Sequence, residues 1–324
     1  MTTPSSPGLG DVEASVWSIL RTGRSNLPLP GAGDTWQRWR SLAALAREDV
    51  VVGRLVEAHA DADAILAEVS GRRVEAGQWW GVWAAEPPTP RLEATASAEG
   101  WVLRGGKAWC SGAGMCTHAL VTAAADDGIR LFAVDLRHSA VSVDLSIWKN
   151  PGMTRSSTGT VTFAGVPAAE VGSRSDYLER AGFWHGAIGV AACWLGGAER
   201  VADTLRRTAA ARSLDPHALA HLGAVDATLA GARWALDGAV QEVDRHPTDR
   251  GAAEIRAFRA RALVETAVAT TVDRVGRALG AAPLCLDAAH AAAVADLLVY
   301  VRQSHAERDL ARLGQLVTTV GADD

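Results

Sequence analysis

The periodicity of this chain changes twice, and that double change restricts its fold more than any other feature. Residues 9–75 repeat apolar side chains near the helical period, with Leu42, Leu45, Val51, Leu55, Ile65 and Leu66 set among charges and alanines. Asp34-Thr35, after the Pro/Gly-rich SNLPLPGAG stretch, reads as a helix N-cap. Residues 79–172 break into short β-prone runs (WWGVWAA, GWVLRGG, THALVTAA, RLFAVDL, GTVTFAGV) separated by Gly, Asp, Pro and Asn. Gly105-Gly106 between two runs reads as a hairpin, and strands recurring at roughly 8–12 residues predict a compact barrel or sandwich.

From 178 to 318 the helical period returns in longer stretches. Leu222, Val225, Leu229, Ala232, Leu236, Val240 and Val243 form one seam, and Val264, Val268, Val272, Val275 and Leu279 another. Breaks at Asp215-Pro216, His246-Pro247 and Ala282-Pro283 leave about four helices. The expected architecture is an N-terminal helical segment (1–78), a central β-barrel (79–177) and a C-terminal four-helix bundle (178–324).

Composition narrows the partners. A net charge of −5 and the absence of any Lys/Arg run argue against a nucleic-acid surface. The four cysteines form no C-x-x-C pair, which suits a reducing cytoplasm and no metal site. MTTPSSPGLGDVEAS lacks the basic and apolar regions of a secretion signal. No stretch of about 18 uncharged apolar residues suggests a membrane span.

The chemistry concentrates around GKAWCSGA (106–113). On a strand, positions i and i+2 face one side, so Trp109 and Ser111 can offer an apolar wall and a hydroxyl to one ligand. Together with VWAAEP (82–87), GMTRSSTG (152–159), IGVAACWLGGAERV (188–201) and RALGA (277–281), this order of motifs resembles the acyl-CoA dehydrogenases over about residues 40–315. The resemblance implies FAD as cofactor, with Trp109 flanking the isoalloxazine and Ser111 near its N5. It sets Ala85-Glu86 beside the pyrimidine ring. Arg277, Gly280 and Ala281 fall where a neighbouring subunit's backbone approaches the pyrophosphate, which implies a homodimer or homotetramer.

Departures from the family pattern bear on activity. Ala85 stands where the family has a threonine that bonds the flavin. The R-x-x-F-G element is reduced to Arg212-Ser213-Leu214-Asp215-Pro216, with Arg212 as the remaining pyrophosphate candidate. The glutamate of Y-E-G-T, which removes the α-proton, aligns with Val301, and the family's alternative base position aligns with Gly186. Two histidines are candidate replacements, since imidazole titrates near pH 6.5. His305, four residues after Val301, falls on one helix face with Val294 and Leu298; His185 adjoins Gly186.

Each of these residues also has a plainer reading. Trp109 suits a barrel wall, Ser111 a turn, Glu86 a structural hydrogen bond, Arg277 a solvated surface, and both histidines ordinary packing. The leading expectation is FAD-dependent CH–CH oxidation of an acyl thioester with an unconventional or absent base. A flavin monooxygenase acting on a small aromatic or amine-bearing metabolite is one alternative. A binding or scaffolding subunit that has lost its redox chemistry is the other.

Overall fold

The computed structural model describes residues 9–98 and 100–320 and begins with three helices, α1 (Leu9–Arg21), α2 (Thr35–Glu48) and α3 (Val50–Ser70). The helical run of the N-terminal third is split at Asp49. Its carboxylate accepts the Val51 and Val52 amides at 2.8 and 3.1 Å and so caps α3. Asp34 makes no such side-chain cap on α2. Its neighbour Thr35 instead donates to Asp244 at 2.5 Å and accepts from the Gly31 amide at 2.7 Å, pinning the start of α2 to a distant helix.

Seven strands follow: β1 (Trp80–Trp83), β2 (Leu92–Ser97), β3 (Gly100–Cys110), β4 (His118–Ala125), β5 (Gly128–Asp135), β6 (Val141–Asp144) and β7 (Gly159–Glu170). The ring β4-β2-β3-β7-β5 closes where β5 pairs back on β4, and closure leaves fewer free strand edges. Short β2 and β6 were not legible as runs. The expected hairpin at Gly105-Gly106 is not there, because both glycines lie within β3 while β2 and β3 meet at Ser97 and Gly100. Their lack of side chains serves another purpose. The Gly106 amide donates to the Arg91 carbonyl at 3.1 Å, a Cβ on Gly106 would fall 2.7 Å from Pro90, and Gly105 holds φ +112°.

Helices resume with α4 (Asp176–Glu179), α5 (Ala181–Ala211), α6 (Pro216–Arg245), α7 (Arg250–Leu279), α8 (Ala282–Leu286), α9 (Ala288–Tyr300) and α10 (Glu307–Val320). The seams are real: Val225, Leu229, Ala232, Leu236, Val240 and Val243 are buried on α6, and Val264, Val268 and Val275 on α7. Full burial of one such side chain stabilises by about 1.5–3 kcal/mol. The core they build is shared, since Leu42 of α2 and Val51 and Leu55 of α3 join Trp194 and Leu195 of α5 in it. The barrel has a separate core of Leu92, Leu103, Phe132, Val161 and Phe163. Among the described residues, no helix is long and apolar enough to cross a membrane.

One buried imidazole ties α3 to the barrel and makes stability depend on pH. His59 accepts the Trp80 amide on Nδ1 at 3.3 Å, and burial pushes its pKa down to about 4. Below pH 6.5 the unfolded chain takes up a proton that the folded chain refuses until about pH 4. The stability present above 6.5 is therefore lost on acidification, by ~3 kcal/mol over that interval. Urea unfolding of wild type and His59→Gln at pH 7 and 4.5 should show the variant losing less. Equal losses would remove His59 as the cause.

Candidate functional site

A cleft of about 1030 Å³ opens between the barrel and the helical part, reached by Ala84 and Ala85 after β1, Trp109 and Ser111 at the end of β3, and Tyr300 at the end of α9. The pairing of β3 with β7 slips between Lys107 and Cys110, and Trp109 adopts φ +61°. A left-handed backbone at a tryptophan costs on the order of 1–2 kcal/mol. It sends Cys110 into the barrel core and turns the Trp109 ring out, 60% exposed, towards the cleft. The Trp148 ring meets it edge to face at 6.2 Å, held by its own Nε1 donating to the Gly152 carbonyl at 3.0 Å.

Ser111 is fixed from both sides. Its carbonyl accepts Trp83 Nε1 at 2.9 Å, and its hydroxyl accepts from Thr158 at 3.2 Å. The loop carrying Ser156 and Thr158 is in turn lashed to the helices. Arg155 donates to Asp49 at 2.7 Å and to Asp296 at 2.9 Å, and Asp296 accepts the Met153 amide at 2.6 Å. Burial raises the Asp296 pKa, against the pull of Met153 and Arg155. The part of the wall formed by Met153, Ser156 and Thr158 is thereby a built surface and not a loose loop.

The charges on this cleft are of one sign. Arg54, Lys149 and Arg302 line it, Arg302 bound to Glu265 at 2.9 Å outside the cleft, and among the described residues no carboxylate lines it. Arg54 donates to Glu57 at 2.8 Å and lies 5.9 Å from the Tyr300 ring; burial pushes Glu57 up to about 7. Val301, which the resemblance aligns with a glutamate base, is 1% exposed and offers no proton acceptor.

The candidate residues separate into groups. Trp109, Ser111, Ala85 and His305 line the cleft together. His305, however, does not share a helix face with Val294 and Leu298: α9 ends at Tyr300, and Ala306 at φ +47° breaks the chain before α10. The imidazole sits at the mouth, its side chain 58% exposed, with Nδ1 3.2 Å from Asp309. His185 points elsewhere, its Nε2 3.0 Å from the Pro247 carbonyl, and burial lowers its pKa. Glu86 turns into the barrel, accepting from Lys107 Nζ at 2.5 Å and from the Thr122 hydroxyl, so its partner is a buried cation. Arg212 ends α5, Arg277 is bound to Asp273 at 2.8 Å in the last turn of α7, and Gly280 and Ala281 follow that helix. None of these four lines the cleft.

Trp148, Arg54 and Tyr300 were not singled out from the sequence. Arg54 did leave a signal there, an Arg-x-x-Glu pair within the apolar run VVVGRLVEAHA. Trp148 left none, since its loop has no period to read.

A closed barrel between two helical regions that share a core, with an aromatic cleft where they meet, is the arrangement of the acyl-CoA dehydrogenase-like proteins. The chain has that fold, and a profile of the acyl-CoA dehydrogenase middle domain matches its residues 85–166. No curated protein sequence matches the chain. Among solved structures, dibenzothiophene monooxygenase (TdsC) from Paenibacillus sp. A11-2 superposes with a TM-score of 0.73 at 19% identity, covering 94% of this chain and 96% of that one. A steroid ACAD reaches 0.75 at 20% identity, covering 96% and 90%. KijD3 in complex with FMN and dTDP-3-amino-2,3,6-trideoxy-4-keto-3-methyl-D-glucose reaches 0.77 at 18%, covering 98% and 95%.

Proposed function

We propose that the protein is a flavin-dependent monooxygenase acting on a small metabolite. The observation that carries this reading is the cleft beside Trp109, which is walled by aromatic rings and lined by three cations but by no carboxylate among the described residues. Oxidation of an acyl thioester needs a proton acceptor at the α-carbon. Val301 and Gly186 supply none, and His305 stands at the solvent-facing mouth, hydrogen-bonded to Asp309.

The residues present fit a flavin. Trp109 and Trp148 give flat apolar surface, the Ser111 hydroxyl and the backbone at Ala84-Ala85 give polar contacts, and Arg54, Lys149 and Arg302 give positive charge for a phosphate. A flavin held there, once reduced by an external two-electron donor, would pass two electrons to dioxygen, one oxygen atom going to the substrate and the other leaving with two protons as water. The chain's own part is to orient the ring through Ser111, to exclude water with the two tryptophans, and to neutralise anionic charge with the cations. A mononucleotide suits one chain better than FAD, because Arg212, Arg277, Gly280 and Ala281 reach a pyrophosphate only if a second copy brings them. TdsC and KijD3 support the reading by the activity and the FMN that their names carry.

The test is a visible titration of the purified protein with FMN and with FAD, followed by two challenges. Stoichiometric flavin bands are expected, with no anaerobic bleaching by octanoyl-CoA and rapid oxygen uptake once the flavin is reduced by dithionite. Bleaching by the thioester would replace this reading with a dehydrogenase. A protein that stays colourless with both flavins would point to a binding subunit.

A further inference from the structure

Beside the cleft lies a second chamber of about 720 Å³, lined by Phe183, Trp184, Phe258 and Asp61 of α3. Gln303 and His305 line both spaces, so the chamber adjoins the cleft. Its aromatic rings form a continuous corner, with Phe183 and Trp184 at 5.2 Å and Trp184 and Phe258 at 5.1 Å between centroids. Gly186 opens the wall at the point where the carboxylate appears, since a Cβ there would fall 2.7 Å from Asp61 Oδ1.

Apart from Arg308, the other charges of this wall already have partners. Arg180 is bound to Glu68, and Arg312 donates to Glu254 at 2.8 Å. Arg261 donates to the carbonyls of Ala187 and Gln303 at 3.1 and 2.9 Å and lies 4.6 Å over the Trp194 ring. Asp309 accepts from His305, and Arg308 stands at the exposed rim. Among the described residues the Asp61 side chain has no hydrogen-bond partner. Burial raises its hold on a proton, opposed by Arg180, Arg38 and Arg54 acting through space. A half-buried carboxylate without a donor beside three aromatic rings lacks a positively charged hydrogen-bond donor with an apolar body.

We propose that this chamber binds an organic amine, its ammonium donating to Asp61 and its apolar body lying against Phe183, Trp184 and Phe258. As the substrate class of the oxygenation this rests on the function proposed above; as a binding site it does not.

Three probes of one shape and different charge test it: benzylamine, benzyl alcohol and benzoate, titrated calorimetrically into the purified protein. Benzylamine should bind about tenfold or more tightly than benzyl alcohol, and benzoate should bind most weakly. Asp61→Asn should bring benzylamine down to the level of the alcohol while the FMN titration of the cleft stays as in wild type. Benzoate binding as tightly as benzylamine, or no difference among the three, would overturn the proposal on wild-type protein alone, whatever the variant's folding. A bound amine without flavin would refute the oxygenase reading only. Bound flavin without amine selectivity would refute this one only.

Discussion

Glu86→Gln is expected to lower folding stability by about 3–5 kcal/mol, the range seen when one partner of a buried ion pair is removed. The reason is Lys107, whose side chain is 2% exposed inside the barrel. Its ammonium has three acceptors, Glu86 at 2.5 Å and the carbonyl and hydroxyl of Thr122 at 2.7 and 2.8 Å, of which only Glu86 carries charge. Glutamine keeps the shape and leaves the cation unbalanced. Because Glu86 is itself partly open to water, the lower end of the range is expected. Burial lowers the Lys107 pKa and Glu86 raises it again, so the lysine of the variant loses its proton at a lower pH and the loss shrinks at pH 9. Urea unfolding at pH 7 and 9 measures both effects. A change below about 0.5 kcal/mol at pH 7 would show that Lys107 does not need this partner.

Gly196→Ala should destabilise by about 2–3 kcal/mol, although alanine is normally the better helix former by about 1 kcal/mol. Gly196 lies in α5 against α2, and a Cβ there would run into the Ala43 carbonyl and stand 2.8 Å from its carbon. The obstacle is backbone, so the two helices must part, and Trp39, Leu42 and Trp194 lose contact with them. Gly231→Ala on α6 is the control. Its Cβ meets nothing within 4 Å, and it should gain a few tenths to about 1 kcal/mol. Thermal unfolding of the two variants should move in opposite directions. If both rise, α2 does not press on α5 at this glycine.

The order of helices, strands and helices was legible because it rests on period, and period survives in a single sequence. The α6 seam could be named residue by residue for the same reason. Gly105-Gly106 misled because glycine marks close approach as well as turns, and only the crossing segment at Pro90-Arg91 decides between them. At the site, Trp109 and Ser111 do line one cleft, but not as alternate positions of a strand: β3 ends at Cys110, and a left-handed Trp109 and a slipped register deliver them. His305 was misplaced because a helix face was extrapolated past Tyr300, where the chain breaks. Asp61 was invisible for a different reason. It stands in a helix of ordinary pattern, and its isolation depends on which arginines are already bound.

The shared core of α2, α3 and α5 also dictates when this chain can fold. The whole barrel is synthesised between the first two of these helices and the third. Until α5 emerges, Trp39, Leu42, Leu45 and Leu55 lack the α5 side chains, Ile188, Trp194 and Leu195 among them, that complete their core. The barrel, with its own core and its strands close in sequence, can form while that wait continues. A chain interrupted after β7 would thus hold a finished barrel and an exposed apolar helical pair, and it is this second part that would recruit chaperones or aggregate.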